Sequence, residues 1–252
     1  MTAVQSASNL HFGPEVGRRK RKRSQFSVLE PWLIRAQAIA SDLDRMSHHQ
    51  FLPGRVNWGD ARELGGAIDR ESVTALITSP PYPNEKDYSR ATRLESVLLG
   101  FARSVDDLRF AKKAMVRSNT KGLYRDDDDD KWVSSFDELQ ELALAIAKRR
   151  LELGKTSGFE KLYHRAIRLY VGGMAKHLAL LRPLLKPGAQ LAYVVGDQAS
   201  YFRIPVRTGR LLSIIAESLA YEVVSLEEFR TRYSTATKEL LKEEILVLRW
   251  PG

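Results

Sequence analysis

The chain of 252 residues contains no cysteine. Disulfide bonds and thiolate metal sites are therefore excluded. The histidines at positions 48, 49, 164 and 177 lack the spacing of metal ligands, so we expect no metal site. The sequence also lacks an apolar run long enough to cross a membrane and an apolar N-terminal segment of the signal-peptide kind. These absences predict a cytoplasmic protein that does not bind membranes.

Positive charge is in excess, with 40 Lys and Arg residues against 31 Asp and Glu residues and a formal net charge of +9. This charge fits a polyanionic partner, because phosphate neutralisation supplies most non-specific affinity for nucleic acids. The densest basic cluster lies within residues 1–27, which we predict to be a disordered tail. Its candidate phosphate contacts are Arg18, Arg19, Lys20 and Arg21, but such a run can equally be a non-specific tail.

The chain is long enough for one α/β domain with an appended region, and we predict that this domain spans residues 28–252. The segment 89–158 interrupts the alternation of strands and helices, so we predict a helical insertion there. Apolar periodicity predicts the elements. Helices are expected over 29–46, 61–68, 94–101, 136–153, 159–185 and 208–219, and strands over 55–58, 73–77, 189–195, 221–229 and 244–250.

The most informative stretch follows the predicted strand 73–77. It contains Ser79, Pro80, Pro81 and Tyr82 in succession. Two prolines neither continue a sheet ladder nor enter a helix interior, so we expect a stiff loop at the carboxyl end of the strand. Open α/β sheets bind their ligands at this edge. The alternative is a Pro-Pro turn in which Tyr82 serves only for packing.

With Thr78 before it and Asn84 and Tyr88 after it, this stretch resembles the catalytic motif of amino-directed DNA methyltransferases. The resemblance implies a Rossmann-like class I sheet and transfer of a methyl group from S-adenosylmethionine to an exocyclic base nitrogen. The hydroxyl of Ser79 and a carbonyl of the Pro80-Pro81 segment would accept hydrogen bonds from the target amino group. Tyr82 would lie against the extruded base. Since methylation at carbon 5 of cytosine uses a cysteine nucleophile, the chain cannot follow that route.

Two aspartates follow predicted strands. Asp60 comes after the strand 55–58, and the resemblance implies that it faces the adenosine part of the cofactor. Asp197 follows the strand 189–195, at the same sheet edge as Ser79. With Thr78 they form the predicted cofactor site. For both aspartates the alternative is ordinary capping of the helix that follows.

One expected segment is missing. Members of this family carry a cofactor loop, Phe-x-Gly-x-Gly or a close variant, and the sequence contains no such loop. We therefore expect an incomplete methyltransferase sheet. The loop would lie on a second polypeptide, upstream of a misplaced gene start, or beyond the chain in a permuted order; alternatively, the protein is a degenerate remnant.

In this family an inserted region commonly reads the DNA target. Within 89–158, Arg117, Lys121 and Arg125 are the predicted contacts. The aspartate run 126–130 is predicted to be a solvated loop or a mimic that competes with DNA. Arg232, in the predicted connection between the last two strands, is a second DNA-contact candidate.

The sequence thus predicts a site-specific methyltransferase acting on double-stranded DNA, close to the nucleoid, in a bacterial restriction-modification setting. Serine at the first motif position favours cytosine N4 over adenine N6. One alternative is an N-methyltransferase of RNA or of a protein amide. The other is a non-catalytic DNA-binding or specificity subunit that kept the fold and lost the cofactor site.

Overall fold

The structure is a computed structural model that describes residues 10–12, 16–18, 29–49, 53–84, 87–234 and 237–252. The chain divides into two compact units. The first comprises Met1–Trp58 and Tyr88–Val105, and the second comprises Gly59–Asp87 and Asp106–Gly252. The predicted insertion 89–158 is therefore shared between the two units, and most of the predicted tail lies outside the described residues.

The second unit contains a four-stranded mixed sheet of β3 (Val73–Thr78), β4 (Leu185–Gly196), β7 (Glu222–Tyr233) and β8 (Leu240–Arg249). The strand order is β3-β4-β8-β7. β3 and β4 are parallel, with Leu76 opposite Leu191 and Thr78 opposite Tyr193. The other pairs are antiparallel. A small antiparallel pair is formed by β5 (Gln198–Tyr201) and β6 (Ile204–Val206).

Four helices belong wholly or mainly to this unit. The longest, α6 (Tyr163–Leu181), is predominantly apolar, and thirteen of its nineteen residues are buried. A helix of this composition is typical of a protein interior. It shares one hydrophobic core with the alternating inward residues of β4, such as Leu191 and Val195. The helices are α4 (Val105–Lys113), α5 (Asp137–Glu152), α6 (Tyr163–Leu181) and α7 (Thr208–Ser218).

Two glycines of α6 let the aspartate-rich segment pack directly on the helix. A Cβ on Gly172 would overlap the carbonyl oxygen of Asp129, and one on Gly173 would lie 3.4 Å from its carboxylate. The 3-10 helix Asp129–Val133 therefore rests on the α6 backbone. Only glycine leaves room for an approach this close.

The described residues of the first unit form a short antiparallel pair, β1 (Leu10–Phe12) and β2 (Val16–Arg18), and three helices. These are α1 (Leu29–Met46), α2 (Tyr88–Ala91) and α3 (Arg93–Leu98). Among its described residues only Ala102 is buried. Within the described ranges of the whole chain, no helix is long and apolar enough to cross a membrane.

The predicted α/β class is confirmed, and the described residues hold a partial mixed sheet. The helices predicted at 29–46, 136–153 and 208–219 are confirmed within two residues at each end. The last two predicted strands also pair, but they extend further, so their connection shrinks to 234–239. Two predictions were wrong: 55–58 has no strand and 61–68 forms turns instead of a helix.

Candidate active site

The Pro-Pro loop leaves the parallel pair β3–β4 at its carboxyl end. Ser79 is exposed, and its hydroxyl donates a 3.3 Å hydrogen bond to the carbonyl of Val194 in β4. Because the proton points into the sheet, the oxygen lone pairs remain available to accept hydrogen bonds. Pro80 and Pro81 are half-buried, and their rings restrict the backbone that follows the serine.

Tyr82 is seated on the same edge of the sheet. A Cβ built on Gly196 would come within 2.6 Å of one carbon of the Tyr82 ring and 2.8 Å of the next. Gly196 is the last residue of β4. Because Gly196 has no side chain, the aromatic ring packs directly on its backbone. The expectation that Ser79 and the end of β4 lie at one edge of the sheet is confirmed.

Asn84 anchors the C-terminal end of the loop through its side chain and its backbone. Its φ of 52° lies in the left-handed region, which asparagine tolerates better than most residues. The side-chain amide donates to the hydroxyl of Ser200 at 3.0 Å, and the backbone N–H donates to the carbonyl of Ser118. Burial raises the pKa of Tyr163, and a hydrogen bond with Asn84 opposes this rise. The loop is thus held at both ends.

Asp197 is buried and fully engaged. One carboxylate oxygen accepts a 2.5 Å hydrogen bond from Arg207, and the other accepts the backbone N–H of Thr208 at 3.2 Å. Thr208 is the first residue of α7, so the carboxylate caps the N-terminus of this helix. Burial and the Asp197 charge raise the pKa of the neighbouring Glu244. The contacts of Asp197 are those of a helix cap, which was the alternative to its predicted role in the cofactor site.

Asp60 is also paired within the protein. Both of its carboxylate oxygens accept hydrogen bonds from the Arg62 guanidinium, at 2.9 and 2.6 Å. Arg62 donates in addition to Asp129 at 2.5 Å and to the carbonyl of Lys113 at 2.9 Å. Although burial raises the pKa of Asp60, the hydrogen bonds from Arg62 hold it below the usual value. The strand that the sequence predicted at 55–58, just before Asp60, is absent from the structure.

The buried Arg117 has a structural environment. Its three guanidinium nitrogens donate to Asp127 and to the carbonyls of Lys112, Lys113 and Met115. Since these contacts engage all three guanidinium nitrogens, they argue against the predicted contact between Arg117 and a DNA base.

The interpretation of the aspartate run as a solvated loop was wrong in part. The side chains of Asp127 and Asp129 are only 7% exposed, and each pairs with an arginine. Asp126 and Asp128 are exposed and pair with Lys113 and Lys131. The run therefore alternates between structural and solvated residues.

The other predicted DNA contacts differ in exposure. Lys121 and Arg125 are exposed. Arg232 is half-buried, and it donates to the carbonyl of Asp197 at 3.0 Å. Arg19, Lys20 and Arg21 lie outside the described residues, as does the side chain of Arg18.

The sequence did not reveal the contacts of two buried residues, Arg62 and His177. Arg62 joins Asp60 to the aspartate-rich segment, and no local pattern announces a partner 67 positions away. His177 of α6 contacts the carbonyl of Ala61 at 2.7 Å and the hydroxyl of Tyr193 at 2.9 Å. Burial lowers its pKa. In the sequence, the position of His177 on the apolar face of a helix was the signal that it is buried.

Across the described ranges, no group of three or more histidine or carboxylate side chains is arranged to hold a metal ion. The arrangement is instead an exposed hydroxyl and an aromatic ring held on a rigid loop. Such a site can accept hydrogen bonds from a flat polar group and stack against it.

No protein-family model matches the chain. It is 28% identical over 175 residues to the Type II methyltransferase M.AvaI of Nostoc sp., covering 69% of this chain and 36% of that protein. It is 26% identical over 200 residues to the Type II methyltransferase M.BsoBI of Geobacillus stearothermophilus, covering 72% of this chain and 38% of that protein. The chain thus spans little more than a third of the length of these curated relatives.

Two solved structures are similar, both of a Thermus thermophilus protein described as a DNA modification methylase. The first is 16% identical with a TM-score of 0.41, covering 79% of this chain and 55% of that chain. The second, complexed with S-adenosyl-L-methionine, is 17% identical with a TM-score of 0.38, covering 77% and 54%. Scores of this size carry no argument about the present chain.

Proposed function

We propose that this chain carries the base-binding half of a site-specific DNA methyltransferase, which moves a methyl group to an exocyclic base amino group. The observation that carries the proposal is the exposed hydroxyl of Ser79, oriented by Val194 and flanked by the Tyr82 ring on Gly196. Sequence similarity to two proteins named Type II methyltransferases supports the same class of reaction. Double-stranded DNA is the proposed partner, with a cytoplasmic, nucleoid-associated location.

The amino nitrogen of a base is a poor nucleophile because its lone pair is delocalised into the ring. In the proposed reaction the target NH2 donates to the Ser79 oxygen, and a carbonyl of the Pro80-Pro81 segment provides a second acceptor. The lone pair then localises towards the methyl donor. Tyr82 stacks on the extruded base and keeps it in the site. The prolines fix these groups before the reaction, so little reorganisation is required.

S-adenosylmethionine is the proposed methyl donor, and it supplies an activated methyl group when bound. The described residues do not fit it on their own, because the carboxylates of Asp60 and Asp197 are engaged by Arg62, Arg207 and Thr208. Thr78, half-buried at the end of β3, remains a candidate wall of the cofactor site. We propose that a segment outside the described residues, on this polypeptide or a second one, holds the cofactor.

The edge of the described sheet supports the proposal that a separate segment holds the cofactor. β3 pairs only with β4 among the described strands, and Ile77 on it is 84% exposed. An exposed apolar edge strand invites pairing with a further strand. A strand that carries the cofactor loop would pair with the free edge of β3 and bring the cofactor next to Ser79.

Cytosine N4 is the proposed target atom, because serine and not Asp or Asn precedes the two prolines. The proposed DNA contacts are Lys121 and Arg125, which are exposed, together with the N-terminal basic run and Arg232. Engagement of both predicted cofactor aspartates favours one alternative, a specificity subunit that binds DNA without catalysis. N-methylation of RNA or of a protein amide stays a further alternative.

Nucleoside mass spectrometry tests the proposal. The chain is expressed with its neighbouring reading frames in a host without DNA methylation, and the host DNA is digested to nucleosides. We expect N4-methylcytosine that disappears with Ser79→Ala and persists with Ser72→Ala, an exposed serine at the other end of β3. N6-methyladenine would correct the target base. DNA binding without any methylated nucleoside would favour the specificity subunit.

A further inference from the structure

Helix α1 of the first unit has an apolar face that the described residues leave uncovered. None of its 18 residues is buried. Its large apolar side chains are between 43% and 65% exposed. Burial of such side chains is the main source of helix stability in proteins, and an isolated helix of this length is marginal in water. The exposed side chains are Leu29, Trp32, Leu33, Ile34, Ile39, Leu43 and Met46.

The spacing of this face is that of a helix that pairs with another helix. Apolar residues recur at intervals of three, four, three, four and three, which are the a and d positions of a coiled coil. The series is Leu29, Trp32, Ala36, Ile39, Leu43 and Met46. Ile34 lies outside this series, on the opposite side of the helix.

We propose that α1 pairs with α1 of a second copy of this chain, antiparallel about a two-fold axis near Gln37 and Ala38. Side-chain sizes favour this direction. An antiparallel pair places the small Ala36 against the large Ile39 of the second copy and Trp32 against Leu43. A parallel pair would instead oppose Ala36 to Ala36, leaving a gap, and Trp32 to Trp32, which crowds the layer.

Charge favours the same direction. Arg35 and Asp42 occupy the g positions that flank the apolar face. In an antiparallel pair g faces g, so Arg35 of each copy lies opposite Asp42 of the other, and two ion pairs form. In a parallel pair Arg35 would face Ala40 and gain no partner. Within one helix Asp42 pairs with Arg45 at 3.3 Å, but both side chains are well exposed and such a pair contributes little.

The proposed interface is small. An 18-residue helix is about 27 Å long, and two such helices bury an area at the low end of specific interfaces. We therefore expect a reversible dimer whose population rises with protein concentration. This inference does not rest on the proposed methyltransferase function, because it concerns a helix outside the Ser79 site.

Sedimentation velocity of the full chain over a range of concentrations tests the pairing. Leu43→Glu should raise the dimer dissociation constant more than about tenfold. Ile34→Glu, the same change on the outer side of the same helix, should leave it unaltered. Arg35→Asp should weaken the dimer, and the double variant Arg35→Asp/Asp42→Arg should restore it. A monomer at all concentrations, or equal effects of the two Glu variants, would overturn the proposal.

The absence of cysteine allows a clean test of direction. Leu29→Cys and Met46→Cys variants are oxidised separately and then as a mixture. The antiparallel pair places position 29 of one copy beside position 46 of the second copy, so the mixture should give a disulfide-linked heterodimer. Neither variant should link to itself, because its two cysteines would lie at opposite ends of the pair. Linked homodimers of Leu29→Cys alone would indicate a parallel pair and contradict the proposal.

Discussion

The ring of Tyr82 lies directly on the backbone of Gly196, so that a Cβ at position 196 would approach the ring to 2.6 Å. This contact joins the loop after β3 to the last residue of β4. It explains why the strand ends in glycine at this point. It also fixes the plane of the only aromatic ring in the Ser79–Tyr82 segment.

Gly196→Ala should therefore destabilise the second unit by about 1–3 kcal/mol, since the new methyl group overlaps the ring. In the double variant Gly196→Ala/Tyr82→Ala the clash is gone, so the two effects should not add. Urea unfolding followed by circular dichroism measures both. Gly158→Ala, which has open space around its Cβ, should change stability by less than about 0.5 kcal/mol. Additive effects would show that the ring has another position.

Arg62 should be a major stabilising residue. Arg62→Met leaves the buried carboxylates of Asp60 and Asp129 without their main partner, and loss of one member of a buried pair costs about 3–5 kcal/mol. The matched control is Arg149→Met, which breaks the exposed pair with Glu152 and should cost less than about 1 kcal/mol. Similar unfolding midpoints for the two variants would contradict the buried network.

His177 should make stability depend on mildly acidic pH. Burial lowers its folded pKa below the usual 6.5, so the unfolded chain binds the proton more readily. Its contribution is complete above about pH 6.5 and is lost as the pH falls below that value. The unfolding free energy of the parent should fall as the pH drops below about 6.5.

His177→Gln should reduce this fall. Part of it should remain, because burial also lowers the pKa of His164. If the variant and the parent lose stability equally over this range, the buried neutral form of His177 is wrong.

Arg117 and Arg125 lie eight positions apart and should behave differently. Arg117→Met should destabilise the second unit, because the buried carboxylate of Asp127 loses its ion pair and keeps the backbone N–H of Tyr124. Arg125→Ala should leave stability unchanged and weaken DNA binding, with a flatter dependence on salt if it contacts phosphate. Urea unfolding and fluorescence anisotropy at several salt concentrations separate the two. Unaltered DNA affinity for Arg125→Ala would remove this residue from the proposed interface.

Periodicity in the sequence was sufficient to predict the core elements. The helix at 163–181 and the strand at 185–196 have long apolar patterns, which predicted a helix at 159–185 and a strand at 189–195. The segments 55–58 and 61–68 are short, and the latter is held by the side chain of Arg62 instead of backbone ladders. Short patterns of this kind do not determine structure without tertiary contacts.

The loop from Ser79 to Tyr82 was predictable because its groups are neighbours in sequence. Ser79 to Tyr82 carry their own geometry through the two prolines. The role of Asp129 depends on a distant partner, because its carboxylate accepts a hydrogen bond from Arg62, 67 positions away. A run of five aspartates gives no local signal that alternate members are buried. Charge patterns therefore predicted solvation where the structure has ion pairs.

Ser79→Ala is the most direct test of the account. The measurement is tritiated methyl transfer from S-adenosylmethionine to duplex DNA by the chain together with the segment that supplies the cofactor site. We expect the rate to fall by about 10²–10³-fold, as it does when one preorganised hydrogen-bonding group is lost, with DNA affinity little changed. Ser72→Ala should retain the full rate. A Ser79→Ala variant with near-normal methyl transfer would contradict the central claim.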